Sequence, residues 1–282
     1  MGRFKIGIMA DGLRLPLREG IAKSRELGAE GIQLYAVSGE MAPGNLSKDR
    51  RRELLDFIKS QGLVVSALCG DPGGHGFGLA DKNPERIALS KAIIDLALDL
   101  ECSIVTTHIG VVPENPGDPE RLVMQKACRE LGLYAGSVGA TFAIETGPEP
   151  AERLRGFLDS LGCDKGMGVN FDPANLVMVV GDDPVSAVGY LAPYIVHTHA
   201  KDGRMFQKPD PKVVYGITSH GGSDAVEYFR ETPLGEGDVN FPPYLDALEK
   251  AGFSGFLTIE REVGKTPEKD IRAAVEFLKP LV

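Results

Sequence analysis

Thr141-Phe142-Ala143-Ile144-Glu145, Val169-Asn170-Phe171-Asp172, Val196-His197-Thr198-His199 and Phe256-Leu257-Thr258-Ile259-Glu260 are four short apolar runs, each ending in a side chain that binds metals. Each reads as a buried strand with the ligand-type residue at its C-terminal end. In a parallel α/β barrel those ends converge on one mouth. Three carboxylates and an imidazole meeting there would form a divalent-metal site.

Working outward from these runs, strand and helix patterns alternate along the whole chain. Strand runs fall at about 4–10, 31–37, 63–69, 103–109, 140–146, 167–172, 195–200 and 255–260. Helical patterns lie near 16–28, 47–61, 84–100, 119–136, 149–161, 184–193, 242–251 and 267–280. Alternation predicts a parallel sheet, and eight repeats predict closure into a single (β/α)8 TIM barrel over 1–282. Asn83-Pro84, Asp118-Pro119, Asp183-Pro184 and Thr266-Pro267 each place a capping side chain before a proline at the first helical position. Gly28, Gly62, Gly162 and Gly252 mark helix ends. Residues 203–238 break the rhythm. This glycine- and proline-rich connection after the seventh strand exceeds the ~12–15 residues usual for loops, and its place at the mouth suggests a lid over the site; a surface insertion is the alternative.

Side chains alternate between the two faces of a strand. With Glu145 facing the barrel lumen, Ala143 and Thr141 face it too, while Ile144 and Phe142 face the helices. The same parity turns Asn170 and Asp172, His197 and His199, and Thr258 and Glu260 inward. A lumen is normally filled with branched aliphatics. Burying these polar groups costs several kcal/mol unless they are paired or hold a metal, on the order given by transfer data. A cation would resolve the cost; buried salt bridges are the alternative.

Composition narrows the function classes. The 282 residues, 43% hydrophobic, are enough for one large α/β core. A formal net charge of −9 disfavours nucleic-acid binding. The four cysteines, Cys69, Cys102, Cys128 and Cys163, are scattered without a CxxC pair, as expected of reduced thiols in a cytoplasmic protein. No apolar run approaches the ~20 residues of a membrane span, and Met1-Gly2-Arg3-Phe4-Lys5-Ile6 reads as a strand start, not as a signal peptide.

At these residues the chain resembles the xylose isomerase-like TIM-barrel superfamily, in particular its sugar-phosphate isomerase/epimerase branch. The resemblance covers nearly the whole chain. It rests on Ile144-Glu145, Asn170-Phe171-Asp172-Pro173-Ala174-Asn175, His199-Ala200-Lys201-Asp202, Pro233-Leu234-Gly235-Glu236-Gly237-Asp238 and Leu257-Thr258-Ile259-Glu260. It implies one divalent cation bound by Glu145, Asp172, His199 and Glu260. His199, not His197, matches the family's His-x-Lys-Asp pattern, which leaves His197 a layer deeper and satisfied by hydrogen bonds. The superfamily's apurinic-site endonucleases carry a histidine three residues after the Asp, where this chain has Asn175. Five histidines in all are too few for their three-zinc cluster.

Three carboxylates and one imidazole suit Mn²⁺ or Mg²⁺ over structural zinc, with Zn²⁺ or Co²⁺ as alternatives. A metal there would polarise a substrate carbonyl and stabilise the enediolate formed by loss of the neighbouring proton. Resemblance to ketose 3-epimerases implies that Glu145 and Glu260 carry that proton. The expected activity is isomerisation or epimerisation of a small-molecule sugar or sugar phosphate. A dehydratase or lyase of an inositol- or keto-acid-type substrate and a non-catalytic sugar-binding barrel are the alternatives, and pairing into a homo-oligomer is an expectation from relatives. His108, ending the fourth strand, is read as a substrate contact. His75, in Gly70-Asp71-Pro72-Gly73-Gly74-His75-Gly76, is read as a substrate contact or an exposed loop histidine. Lys201 and Arg204 are read as holding a phosphate or carboxylate, or as salt-bridged to Asp202 or Glu262. Gly235-x-Gly237 reads as a turn before the helix that Asn240-Phe241-Pro242 opens, not as a phosphate loop.

Overall fold

Among the described residues ten strands form: β1 Lys5–Met9, β2 Gly31–Tyr35, β3 Val64–Cys69, β4 Ile104–Thr107, β5 Thr141–Glu145, β6 Met167–Phe171, β7 Ile195–Ala200, β8 Asp202–Met205, β9 Phe229–Thr232 and β10 Phe256–Ile259, of which all but β8 and β9 follow the apolar runs. They belong to a computed structural model that describes residues 2–163, 165–219 and 227–282. β1 to β7 and β10 pair in parallel and close on themselves, β10 joining β7 to β1, so the fold is a (β/α)8 TIM barrel. Helices Leu17–Leu27, Lys48–Ser60, Asn83–Asp99, Pro119–Val138, Ala151–Leu161, Pro184–Leu191, Phe241–Lys250 and Pro267–Leu278 connect the barrel strands, with the last following β10.

Parity sorts the core. Phe142 and Phe171 point to the helix layer, where they meet Phe77 and Tyr244 with ring centroids 6.1 and 5.5 Å apart. Each buried ring contributes about 2 kcal/mol by removal from water. The lumen side is polar, and much of that polarity is resolved by hydrogen bonds, not by a cation. His197 Nδ1 donates to Asn170 Oδ1 (2.8 Å) and its Nε2 accepts from Thr258 Oγ1 (3.0 Å). The barrel register shifts at Ile32/Gln33 and at Val169/Asn170. Such irregularities re-aim side chains, and Gln33 and Asn170 both reach the site.

Of the four expected proline-linked caps, two form. Asp118 accepts from Glu120 N (2.8 Å), and Asp183 accepts from Val185 N (3.3 Å) and Ser186 N (3.1 Å). Asn83 lies inside its helix and donates back to Phe77 O (3.0 Å), and Thr266 makes no cap. Gly28, Gly62, Gly162 and Gly252 all have positive φ, as a helix end of this kind requires.

The 203–238 connection is not a bare loop. β8 and β9 pair antiparallel, and a short turn of helix, Pro211–Val214, lies between them. His220, Gly221 and Gly222 lie outside the described residues. Asp202, at the start of β8, anchors the return of the chain. Its carboxylate accepts backbone N–H groups from Gly203 (2.8 Å), Gly235 (2.9 Å), Gly237 (2.9 Å) and Val239 (3.1 Å). A Cβ on Gly237 would lie 2.0 Å from Asp202 Oδ1, so only glycine fits there. The Gly235-x-Gly237 amides therefore bind a side chain of this protein, in keeping with a turn. Asp202→Ala should destabilise the fold by about 3 kcal/mol, the scale of lost charge-assisted hydrogen bonds, measured by denaturant unfolding.

Candidate metal centre

Each candidate ligand is positioned by its strand end. Glu145 is the last residue of β5. The next residue, Thr146, clamps β5 to β6, its hydroxyl donating to Asp172 O (2.9 Å) and accepting from Asp172 N (2.8 Å). Asp172 caps the short turn Pro173–Asn175, with Oδ1 accepting from Ala174 N (2.8 Å) and Asn175 N (2.9 Å). That leaves Oδ2 directed across the mouth. His199 lies on β7, and Glu260 directly follows β10 with its amide bonded to Ala200 O (3.2 Å). One atom from each of Glu145, Asp172, His199 and Glu260 lies within 4.8 Å of all the others. His199 Nδ1 is 3.5 Å from Glu145 Oε1, 3.4 Å from Asp172 Oδ2 and 3.2 Å from Glu260 Oε2.

Hydrogen bonds from around the cluster orient it. Gln33 Nε2 donates to Thr106 Oγ1 (2.9 Å), so Gln33 Oε1 accepts from His199 Nε2 (2.9 Å). His199 Nδ1 is then the nitrogen that faces the three carboxylates. Asn170 Nδ2 donates to Glu145 Oε2 (3.0 Å) and Asn175 Nδ2 to Glu145 Oε1 (3.1 Å). Asn175, the residue that replaces the endonucleases' histidine, thus braces a candidate ligand. Among the described residues these four form the one group with the spacing of a metal site.

The charge balance asks for a cation. Burial opposes charge on His199, but Glu260, Glu145 and Asp172 outweigh it and raise its pKa well above that of free imidazole. Burial also opposes charge on Glu260, while His199 and Lys201 hold its carboxyl well below the usual range. Buried Asp172 Oδ2 and His199 Nδ1 have no hydrogen-bond partner. Two such orphaned atoms aimed at one point, beside two further carboxylates, fit a divalent ion with oxygen-rich coordination.

The other expected residues divide. His108 reaches the site, with Nε2 3.6 Å from Glu145 Oε1 and Nδ1 3.1 Å from Asp71 Oδ2. Burial works against its charge, but Glu145 and Asp71 push its pKa up to about 9. Lys201 is buried there too, with Nζ 2.9 Å from Glu260 and 2.6 Å from Glu262. Its pairing with Glu262 matches one sequence alternative, whereas Asp202 turns to the backbone. Arg204 is not brought to the site: it donates to Glu236 O (3.1 and 2.7 Å) on the exposed side of β8. His75 is half-buried in the loop after β3, where its neighbour Gly74 lines the cavity and His75 does not. His197 lies beneath, with burial and His199 lowering its pKa well below that of free imidazole.

Sequence reasoning passed over Gln33, Asp71 and Tyr215. Gln33 had a signal, a lone amide within the apolar run Gly31-Ile32-Gln33-Leu34. Tyr215 had none: it arrives from the long connection, its ring 5.0 Å from that of His108. Asp71 and Tyr215, with His108, Glu145 and Glu260, help bound a cavity of about 720 Å³ at the mouth. Replacing Gln33 with leucine removes the bond that orients His199 and should weaken Mn²⁺ binding about 10- to 100-fold by calorimetry, the usual effect of losing such a support.

The family model for the xylose isomerase-like TIM barrel matches residues 21–281. A xylose isomerase domain protein from Planctomyces limnophilus is 26% identical, with 99% of this chain and 96% of that chain covered and a TM-score of 0.79. The probable 3-DHS dehydratase AsbF from Bacillus anthracis is 18% identical, with 98% of both chains covered and a TM-score of 0.75. A D-psicose 3-epimerase solved in the presence of D-fructose is 13% identical, with 99% of both chains covered and a TM-score of 0.73. Proteins of this fold have also been solved with magnesium, from Mycobacterium smegmatis (18% identical, 99% and 97% covered, TM-score 0.72), and with zinc, the IolI protein (16% identical, 99% and 98% covered, TM-score 0.75). No curated protein matches the sequence significantly. With a family match over most of its length and a closed barrel carrying an acidic, histidine-containing cluster at its mouth, this chain belongs to the xylose isomerase-like TIM-barrel family.

Proposed function

We propose that the protein is a divalent-metal-dependent isomerase or epimerase of a sugar or sugar phosphate, working by proton transfer at the carbon beside a carbonyl. The observation that carries this reading is the pairing of Glu145 and Glu260, at the ends of strands at different points of the barrel, around one point with an imidazole and a third carboxylate. A bound Mn²⁺ or Mg²⁺ would supply Lewis acidity to a carbonyl and an adjacent hydroxyl. Glu145, Asp172, His199 and Glu260 would hold it.

The two glutamates then serve as proton carriers. One removes the proton and the other returns it: on the opposite face for epimerisation, or at the neighbouring carbon for isomerisation. Asn170 and Asn175 fix the Glu145 carboxylate by bonding both of its oxygens, and Lys201 fixes Glu260. His108, held by Asp71, has a buried Nε2 without a hydrogen-bond partner facing the same cavity, where a substrate hydroxyl would satisfy it. The same imidazole also favours the second reading, a dehydratase, because an acid at that position could protonate a departing hydroxyl.

Removal of bound divalent ions with a chelator should abolish turnover, and added Mn²⁺ should restore it. Glu145→Gln, with folding and Mn²⁺ binding verified, should slow turnover about 10²- to 10⁴-fold, the range for loss of a general base. The assay is exchange of deuterium from heavy water into candidate ketoses. Unchanged exchange in the variant would overturn the role of Glu145, and loss of water from the substrate would favour the dehydratase.

A further inference from the structure

We propose that the mouth of this barrel selects an uncharged substrate, an unphosphorylated polyhydroxy carbonyl compound, and that Glu262 is the specificity-determining residue that turns anions away. The inference rests on the same cavity as the isomerase reading and sharpens it to a substrate class.

Few cations at the mouth are free to meet an anion. Lys201 is fully engaged: its ammonium lies between Glu260 and Glu262, and its side chain is 3% exposed. Arg230, at the rim, donates to both carboxylate oxygens of Glu227 at 2.6 Å each. Arg204, read in the sequence with Lys201 as holding a phosphate or carboxylate or as salt-bridged, faces away and binds a backbone carbonyl. The amides of Gly235 and Gly237 offer no substitute, because Asp202 fills them. Residues 220–226 contribute neither lysine nor arginine to the chain.

The acidic side is larger. Asp71, Glu145, Glu231, Glu260 and Glu262 line the cavity, and Asp172 lies beneath them. Glu231 is paired with Arg261, and Arg230 with Glu227; the other five carboxylates face Lys201 and, when bound, one divalent ion, which would leave the mouth two charges negative, or one with His108 protonated. A cleft of one sign concentrates its field and repels ligands of that sign. Glu262 is the adjustable member. It is 63% exposed, and it shares with Glu260 the ammonium of Lys201, the one lysine among the described residues that lines the cavity. Glu231 holds it in place, accepting the Glu262 amide (3.2 Å) while bound to Arg261. Much of the remaining wall is apolar, with Met178, Val179, Phe229 and Val263 offering contact but no charge.

The test uses the full chain loaded with Mn²⁺. D-Fructose and a panel of other ketohexoses and ketopentoses are each compared with their own phosphate esters, by calorimetric binding and by deuterium exchange. At least one uncharged member is expected to bind tenfold or more tighter than its ester. Glu262→Gln should leave Lys201 with Glu260 as its one remaining close carboxylate partner, take one negative charge from the rim, and narrow that ratio at least fivefold. Esters that bind as well as or better than their parents, no binding of any uncharged member, or an unchanged ratio in the variant would each overturn the inference. Binding selective for uncharged sugars without any exchange would uphold the charge preference and instead count against the isomerase reading.

Discussion

Three carboxylates converge at the closed end of a buried mouth, and the site is organised by the need to compensate their charge. Like charges a few ångströms apart in a poorly solvated cavity repel strongly. The protein meets this with His199 at the centre, Lys201 to one side and amide donors from Asn170 and Asn175 on the other. The arrangement leaves Asp172 Oδ2 and His199 Nδ1 without hydrogen bonds, the pattern expected where a metal ion supplies the missing contact.

That constraint reaches down into the barrel. The lumen beneath the cluster holds a connected polar layer, Thr258 to His197 to Asn170 to Glu145. A second chain runs from Thr106 through Gln33 to His199. These chains orient each imidazole, and so decide that His199 turns Nδ1 to the mouth. The lumen gives up aliphatic packing for this purpose, while the helix layer outside keeps the large rings and the bulk of the apolar burial.

The connection after β7 completes the cavity. Its hairpin brings Tyr215 against His108 and sets Glu231 beside Glu262, so that the wall nearest solvent is built from residues remote in sequence from the strands that carry the cluster. Sequence signals pointed to a lid at this position, yet they carried no hint of β8, β9 or the Asp202 anchor. The reason is that the pairing of β8 with β9 is decided by contacts across about 25 intervening residues and not by local periodicity.

The barrel, and the convergence of Glu145, Asp172, His199 and Glu260 on one mouth, were legible along the chain. Both depend on short-range regularities: strand and helix periods, helix-end glycines, and a two-residue alternation that fixes which side chains face inward. The sequence also separated His199 from His197, because the motif around His199 is contiguous. Only the tertiary structure decided how the charges pair. Gln33 reaches His199 across 166 positions and Lys201 reaches Glu262 across 61, whereas Arg204, four residues from Glu260's partner Ala200, turns away from the site. Such choices follow from distances between strands after the barrel has closed, and electrostatic partners at those distances leave no local pattern to read.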